Sequence, residues 1–514
     1  MEHDANVARV VPKPLLGIFV MLVSCFALWG VLNNMTDNLV PAFQKIFMKD
    51  PSEAGLVQVA FYGAYAVLAV FASILIEEFS YRKGVLAGLG IYMIGALMYI
   101  PACILQSFEL YFIAIFVVAS GCSLLETACN PYVLSLGGES TAVRRLNFAQ
   151  MFNPVGSIAG IFMAKKLILS HLDPSTMEER MAMAPETLKG IVDKELFWVC
   201  APYVGLCAIA AAIWIFFLVG AKRHEQSAAA MPLALAPRLQ RTIVAAAFSL
   251  VPLTLLYFLF PEMDKVLWVV CGMLGPLAYV AIMPLYRSML KTLLATPRYW
   301  LGVIAQFFYV GVQIAAWTWM NAYCQQEFLA DGMTKETAAG YYLIAIVVFV
   351  ACRWITTALM KKFDPASMMA VFAIGALVSC AGVMWLPTAV LFHAFGLPFS
   401  GNVICLVAMS GFMSLMFPTI YGIALGGLDS RAVKLGAAGL IMAILGGAVI
   451  TPWMASIMKN ASSFWTALVP CASTVWNGDL QVSSATVRAA FVVPAICFAV
   501  VLAYALAFRS RKCD

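Results

Sequence analysis

Charge is what this chain has least of. Asp, Glu, Lys and Arg make up 11% of its 514 residues, against 63% hydrophobic residues and a mean hydropathy of +0.90. An ordinary soluble protein carries about a quarter of its residues charged. With so few, the chain cannot cover a water-facing surface and reads as an all-α polytopic membrane protein. Paired cysteines are lacking too. The fourteen Cys are scattered through apolar segments without a CxxC motif or a histidine partner, so they read as free thiols, with neither disulfides nor a metal site. The four histidines (His3, His171, His224, His393) sit apart in tails and loops, and no polar stretch is long enough for a soluble domain. That argues against a membrane-embedded enzyme or sensor, which would need a catalytic set at one membrane face. No cleavable signal peptide is apparent, because the first apolar run is too long and no small-residue site follows it. The net charge of +6 is dispersed in short clusters between apolar runs, which signals orientation and not a nucleic-acid partner.

What the chain does have is long apolar runs. Measured against the roughly 20 residues that cross a bilayer, fourteen candidates lie near 14–43, 54–77, 84–105, 109–136, 146–170, 197–220, 241–260, 267–286, 299–324, 337–360, 367–386, 402–427, 435–458 and 489–508. An even number puts both termini on one side. With the termini inside, 20 of the 32 basic residues fall in inner segments, among them Arg82, Lys83, Arg144, Arg145, Arg287, Lys291, Lys361 and Lys362. The excess of inner Lys and Arg places both ends in the cytoplasm. The outer loop near 171–196 is rich in acids. Residues 1–220 form one expected six-helix bundle, 221–298 a central linker with two extra helices packed at the periphery, and 299–514 a second six-helix bundle.

The two bundles echo each other. Pro131, Gly137-Gly138 and the basic pair Arg144-Arg145 recur in order as Pro418, Gly426-Gly427 and Lys434, with a shift of two residues in spacing. Parallel six-helix repeats with a site between them near the midplane describe a secondary transporter. The Gly-rich stretch from Gly436 to Gly447 reads as a close-packing face.

Chemistry concentrates in the amino-terminal half. Glu126 lies in an apolar run, and Asn130 follows it on the same helical face. Trp29, Asn33 and Asp37 stack at spacings of four with Asn34 beside them, and Gln150 and Asn153 share a face three apart. An unpaired carboxylate in hydrocarbon costs several kcal/mol, so such acids usually face a polar cavity and act there. Two of them suggest a site that handles protons. An indole beside amides that donate and accept is what a sugar ring needs. Each amide could instead make only a helix–helix hydrogen bond. Glu126 could form a buried pair with Arg353, and Asp37 could lie near the outer surface, about 34 Å along its helix. The carboxy-terminal half offers Gln306, Tyr309 and Gln313, followed by Trp317 and Trp319, and no acid within a span; it would supply the second wall for the sugar. The same acids could serve a uniporter or a drug–proton exporter.

These residues carry a resemblance. Ala27-Leu28-Trp29 through Asn33-Asn34-x-x-Asp37, Leu125-Glu126-Thr127-Ala128-Cys129-Asn130-Pro131, Arg145-Leu146-Asn147-x-Ala149-Gln150-x-Phe152-Asn153, Ala305-Gln306-Phe307-x-Tyr309-Val310-Gly311-x-Gln313, Phe417-Pro418-Thr419-Ile420 and Gly446-Gly447-x-x-x-Thr451-Pro452 resemble the fucose permease branch of the major facilitator superfamily. The likeness covers most of both halves. It implies the major facilitator fold with two helices beyond the family's twelve, and L-fucose:proton symport by alternating access. Relatives handle glucose/galactose, mannose or N-acetylglucosamine. It implies that Asp37 and Glu126 couple protons and that Asn33, Asn34, Gln150, Asn153 and Asn130 line the sugar cavity. It further implies no cofactor beyond the proton gradient, a monomer in a bacterial inner membrane, and sugar, protons and lipid as the only partners.

Overall fold

The computed structural model describes residues 10–37, 39–48, 56–220, 235–260, 265–459, 463–469, 476–477 and 482–509. Thirteen helices among them are long and apolar enough to cross a membrane. In chain order they are Lys13–Thr36, Val59–Glu78, Tyr81–Ile104, Phe108–Ser135, Glu139–His171, Pro185–Gly220, Leu235–Leu256, Pro297–Glu327, Thr337–Leu359, Pro365–Trp385, Gly401–Leu425, Ser430–Met458 and Ser484–Ala507. A bent pair, Leu267–Ile282 and Pro284–Leu294 at 102°, makes the fourteenth and stands eighth in order. All fourteen predicted runs therefore appear, numbered below as spans one to fourteen. The first was expected to reach residue 43; Leu16–Asp37 and Leu39–Ile46 are helical, and residue 38 between them lies outside the described residues.

By mutual contacts the chain divides into two units. The first comprises 1–145, 152–295 and 427–442, the second 146–151, 296–426 and 443–514. The two excursions fall where helices break. The fifth span is interrupted between Ala142–Gln150 and Phe152–Met163, and the thirteenth between Ser430–Met442 and Gly446–Met458. These are corresponding places in the sequence repeat.

Helix ends explain several charges that the sequence presents only as orientation signals. Arg145 is fully buried and donates to the carbonyls of Val133 and Leu134 at the end of the fourth span. Arg82 does the same for Phe217 and Leu218 at the end of the sixth. A cation on the last carbonyls satisfies orphan acceptors and matches the negative end of the helix dipole. Ser80, Ser107 and Asp364 cap the starts of the third, fourth and eleventh spans.

Packing inside the first unit depends on missing side chains. A Cβ on Gly30 would lie 2.1 Å from the Asn153 carbonyl oxygen, and one on Gly156 2.1 Å from that of Ala27. The first and fifth spans thus meet backbone to backbone. In the second unit Gly446 repeats the device against Phe307, at 2.0 Å, so part of the Gly-rich stretch is a close-packing face as expected. Gly156→Leu is therefore expected to lose the folded carrier, at a cost of about 3 kcal/mol or more. Gly205→Ala, where nothing lies within 4 Å, should leave the gel-filtration profile of the purified protein unchanged. Equal profiles for both variants would refute the crossing.

The inserted seventh and eighth spans pack on the second. Val269 fills the space beside Gly63, and the Trp268 indole donates to Leu253 across the insert. Outward-facing Leu250, Leu255, Leu274 and Ile282 are exposed, as lipid-facing positions are. The insert is fastened at the end of the second span. Glu78, buried, accepts from the Tyr286 hydroxyl at 2.5 Å and pairs with Arg241 at 3.4 Å. Its neighbour Glu77 pairs with Lys434 at 2.9 Å and Arg431 at 3.5 Å.

Between the eleventh and twelfth spans a β-hairpin, Val390–Ala394 with Leu397–Ser400, turns through Phe395 and Gly396, both at positive φ (54° and 76°). A two-residue hairpin turn of this hand needs that conformation.

Candidate functional site

The predicted acids and amides distribute over both units. In the first unit, Glu126 sits two-thirds of the way along the fourth span and is 7% exposed. Among the described residues its carboxylate has no ion pair and no hydrogen-bond donor; what surrounds it is Tyr65, Cys122 and Cys129. Asn130, fully buried, donates to the main-chain carbonyl of Glu126 at 3.0 Å, so the expected shared face is real. The glycine crossing brings Asn153 to the first span, where its amide donates to Phe26 at 3.5 Å. Asn34 donates to Gly30 at 3.4 Å, and the Asn33 side-chain oxygen is buried with no hydrogen-bond partner among the described residues. Trp29 is buried, its ring 4.4 Å from that of Phe26. Asp37 follows on the same helix, and its side chain lies outside the described residues.

In the second unit, Gln306 is fully buried, and both polar atoms of its side chain lack a partner among the described residues. One turn on, the Tyr309 hydroxyl donates to Met413 at 2.9 Å, and Gln313 is half-buried two turns from Gln306. Trp317 donates to Ser410 at 3.0 Å and Trp319 to Thr451 at 3.3 Å. Gln150 stands at the break of the fifth span, and its carbonyl accepts from Arg353 at 3.0 Å. Arg353, weighed above as a counter-ion for Glu126, also donates to Ser414 and lies 4.5 Å over the Phe349 ring. Carbonyls and a π-face carry its charge.

One acid of this half escaped the sequence reading. Glu327 is the last residue of the ninth span, its side chain fully buried, and pairs with the equally buried side chain of Arg488. Arg488 also donates to Leu386 at 2.7 Å, while Asn402, Thr388 and Ser484 donate to Glu327 at 2.9, 2.8 and 2.6 Å. The reading that no acid lies within a span of this half fails by three residues. Apolar counting ended the helix at 324, and only the packed neighbours extend it to include the acid.

The contrast between the two acids is chemical. Glu327 has every lone pair answered, which is how a structural carboxylate is held. Glu126 is as deeply placed and is answered by nothing strong. A membrane-embedded acid without a partner is a candidate for a functional role. Asn33 in the first unit and Gln306 in the second keep side-chain atoms without a partner among the described residues, available to a polyhydroxylated ligand. The breaks at Met151 and at 443–445 expose helix ends in corresponding places of the repeat. In transporters of this architecture such discontinuities mark the binding region.

The family described as Major Facilitator Superfamily matches residues 15–451. The L-fucose-proton symporter of Haemophilus influenzae is 34% identical over 510 residues, which cover 98% of this chain and 99% of that protein. The glucose/galactose transporter of Brucella abortus is 25% identical over 485 residues, 94% of this chain and 92% of that one. Among solved structures, the fucose:proton symporter of Escherichia coli superimposes with a TM-score of 0.69 at 28% identity, covering 96% of this chain and 98% of that chain.

Proposed function

From the premise that this chain belongs to the major facilitator superfamily, we propose that it is a proton-coupled sugar symporter that takes up L-fucose by alternating access. The observation that carries the coupling is Glu126, a buried acid without a partner among the described residues, on the span whose motif resembles the fucose permeases. A proton on Glu126 lets the loaded carrier reorient without dragging a charge through a dry interior. Sugar binding favours the closed intermediate, and release inside returns the proton. Asp37 acts with Glu126 as the second coupling acid. Trp29, Asn33, Asn34, Asn130 and Asn153 from the first unit, and Gln150, Gln306, Tyr309 and Gln313 from the second, contact the sugar. No cofactor takes part. The carrier works as a monomer in a bacterial inner membrane with both termini cytoplasmic, which the excess of Lys and Arg in the inner segments supports.

A pH trace tests this. L-Fucose added to energy-depleted cells that make the protein is expected to alkalinise the medium, while glucose and N-acetylglucosamine leave it flat. The 25% identity to the Brucella abortus transporter favours a second reading, glucose or galactose as substrate. One hydroxyl or methyl on the sugar is worth only about 1–3 kcal/mol. Alkalinisation with one of those sugars alone would select it. Equilibration of labelled fucose without any pH change would mean a uniporter, and the coupling assignment would fall.

A further inference from the structure

The first unit holds a set of buried tyrosines that the sugar site does not use. Thr36, next to Asp37, shares a hydrogen bond of 3.0 Å with the Tyr203 hydroxyl. The Tyr203 ring stacks on Tyr99 at 3.8 Å, and Tyr99 meets the edge of Tyr111 at 5.3 Å. Tyr92, two turns from Tyr99 on the third span, neighbours both Tyr203 and Cys122. From the second span Tyr65 neighbours Cys122, one turn before Glu126 on the fourth. Tyrosines of four spans thus form a row between the Thr36 level and Glu126. Along the fourth span alone, from Tyr111 to Glu126, the rise is about 22 Å.

Packing explains the rings but not the oxygens. The hydroxyls of Tyr92, Tyr99 and Tyr111 are buried without a hydrogen-bond partner among the described residues, and so are those of Ser123 and Thr127 beside Cys122 and Glu126. Each orphaned hydroxyl costs about 1–3 kcal/mol, and phenylalanine would fill the same space without it. Internal waters answer such groups, typically with about three hydrogen bonds each. The titratable groups facing the column are Cys207 beside Tyr92, Cys103 and Cys200 beside Tyr111, and Tyr62, Cys122 and Cys129 toward Glu126.

We infer that this tyrosine column, bridged by internal water, carries the proton between the Thr36–Asp37 level and Glu126 by a route separate from the sugar's. The inference rests on Glu126 being the coupling acid. Each hydroxyl passes its own proton onward and takes one from behind. No phenolate forms, and the net change is one proton added to the Glu126 carboxylate. The tyrosines position and relay; the acid alone changes charge.

The test uses the full-length carrier in proteoliposomes with two readouts. One is L-fucose-dependent proton influx under an imposed pH gradient, and the other is fucose counterflow at equal pH. The double variant Tyr92→Phe/Tyr99→Phe keeps both rings and removes only unsatisfied hydroxyls, so it should fold. Proton influx is expected to fall about tenfold, with a larger solvent deuterium isotope effect, while counterflow stays at the unmodified rate. Unchanged influx and isotope effect would overturn the route, and so would an equal fall in counterflow, which would make the column packing alone. Glu126→Gln in the same assay separates the two readings. If it keeps full coupling, the acid assignment fails. If it loses coupling while the tyrosine variant keeps it, only the route fails.

Discussion

Proteoliposomes carrying Glu126→Gln are expected to exchange labelled sugar across the membrane and to concentrate none. One proton crossing 100 mV releases about 2.3 kcal/mol, enough for a sugar ratio of about fifty. The variant should settle at a ratio of about one. Glutamine keeps the size and polarity of the side chain and so mimics the protonated state permanently. Reorientation with sugar aboard therefore continues, while the proton has nowhere to ride. Because Glu126 has no ion pair or donor among the described residues, nothing is stranded by the change, and thermal stability should hold or rise. A variant that still accumulates sugar would remove Glu126 from the coupling role. One that unfolds would show that hidden partners hold the carboxylate.

Arg488→Ala should do the opposite. It leaves transport chemistry untouched and strands Glu327, which is buried at 0% exposure with its counter-ion gone. Removing one partner of such a pair costs about 3–5 kcal/mol, comparable with the whole stability of many domains. Little folded carrier should survive detergent extraction. Combining it with Glu327→Gln should recover a substantial fraction, since the uncompensated charge disappears while Asn402, Thr388 and Ser484 still reach a polar acceptor. Normal yield from the single variant would mean the network contributes little.

The two acids also show where sequence reading reaches and where it stops. Spans were legible because a bilayer demands about 20 apolar residues, and Glu126 was legible because it interrupts such a run. Glu327 was not, because it sits at the margin where hydropathy already falls, and only the partners drawn from three other segments reveal it. The glycine spacing of the thirteenth span announced close packing, whereas the pairing of Gly30 with Asn153 depends on which helices meet. The tyrosine column could not be read at all. Its members lie at 65, 92, 99, 111 and 203, on four helices, with no periodicity that joins them.

Glu78 joins the extra helices to the second span. Its carboxylate is acceptable at the end of the second span because Arg241 and Tyr286, both contributed by the insert, receive it. Without the insert Glu78 would lose both of these groups, and without Glu78 the Tyr286 hydroxyl would lose its acceptor. The acid and the helix pair thus stand or fall together. A minimal carrier made by excising 235–294 must lose the glutamate in the same stroke.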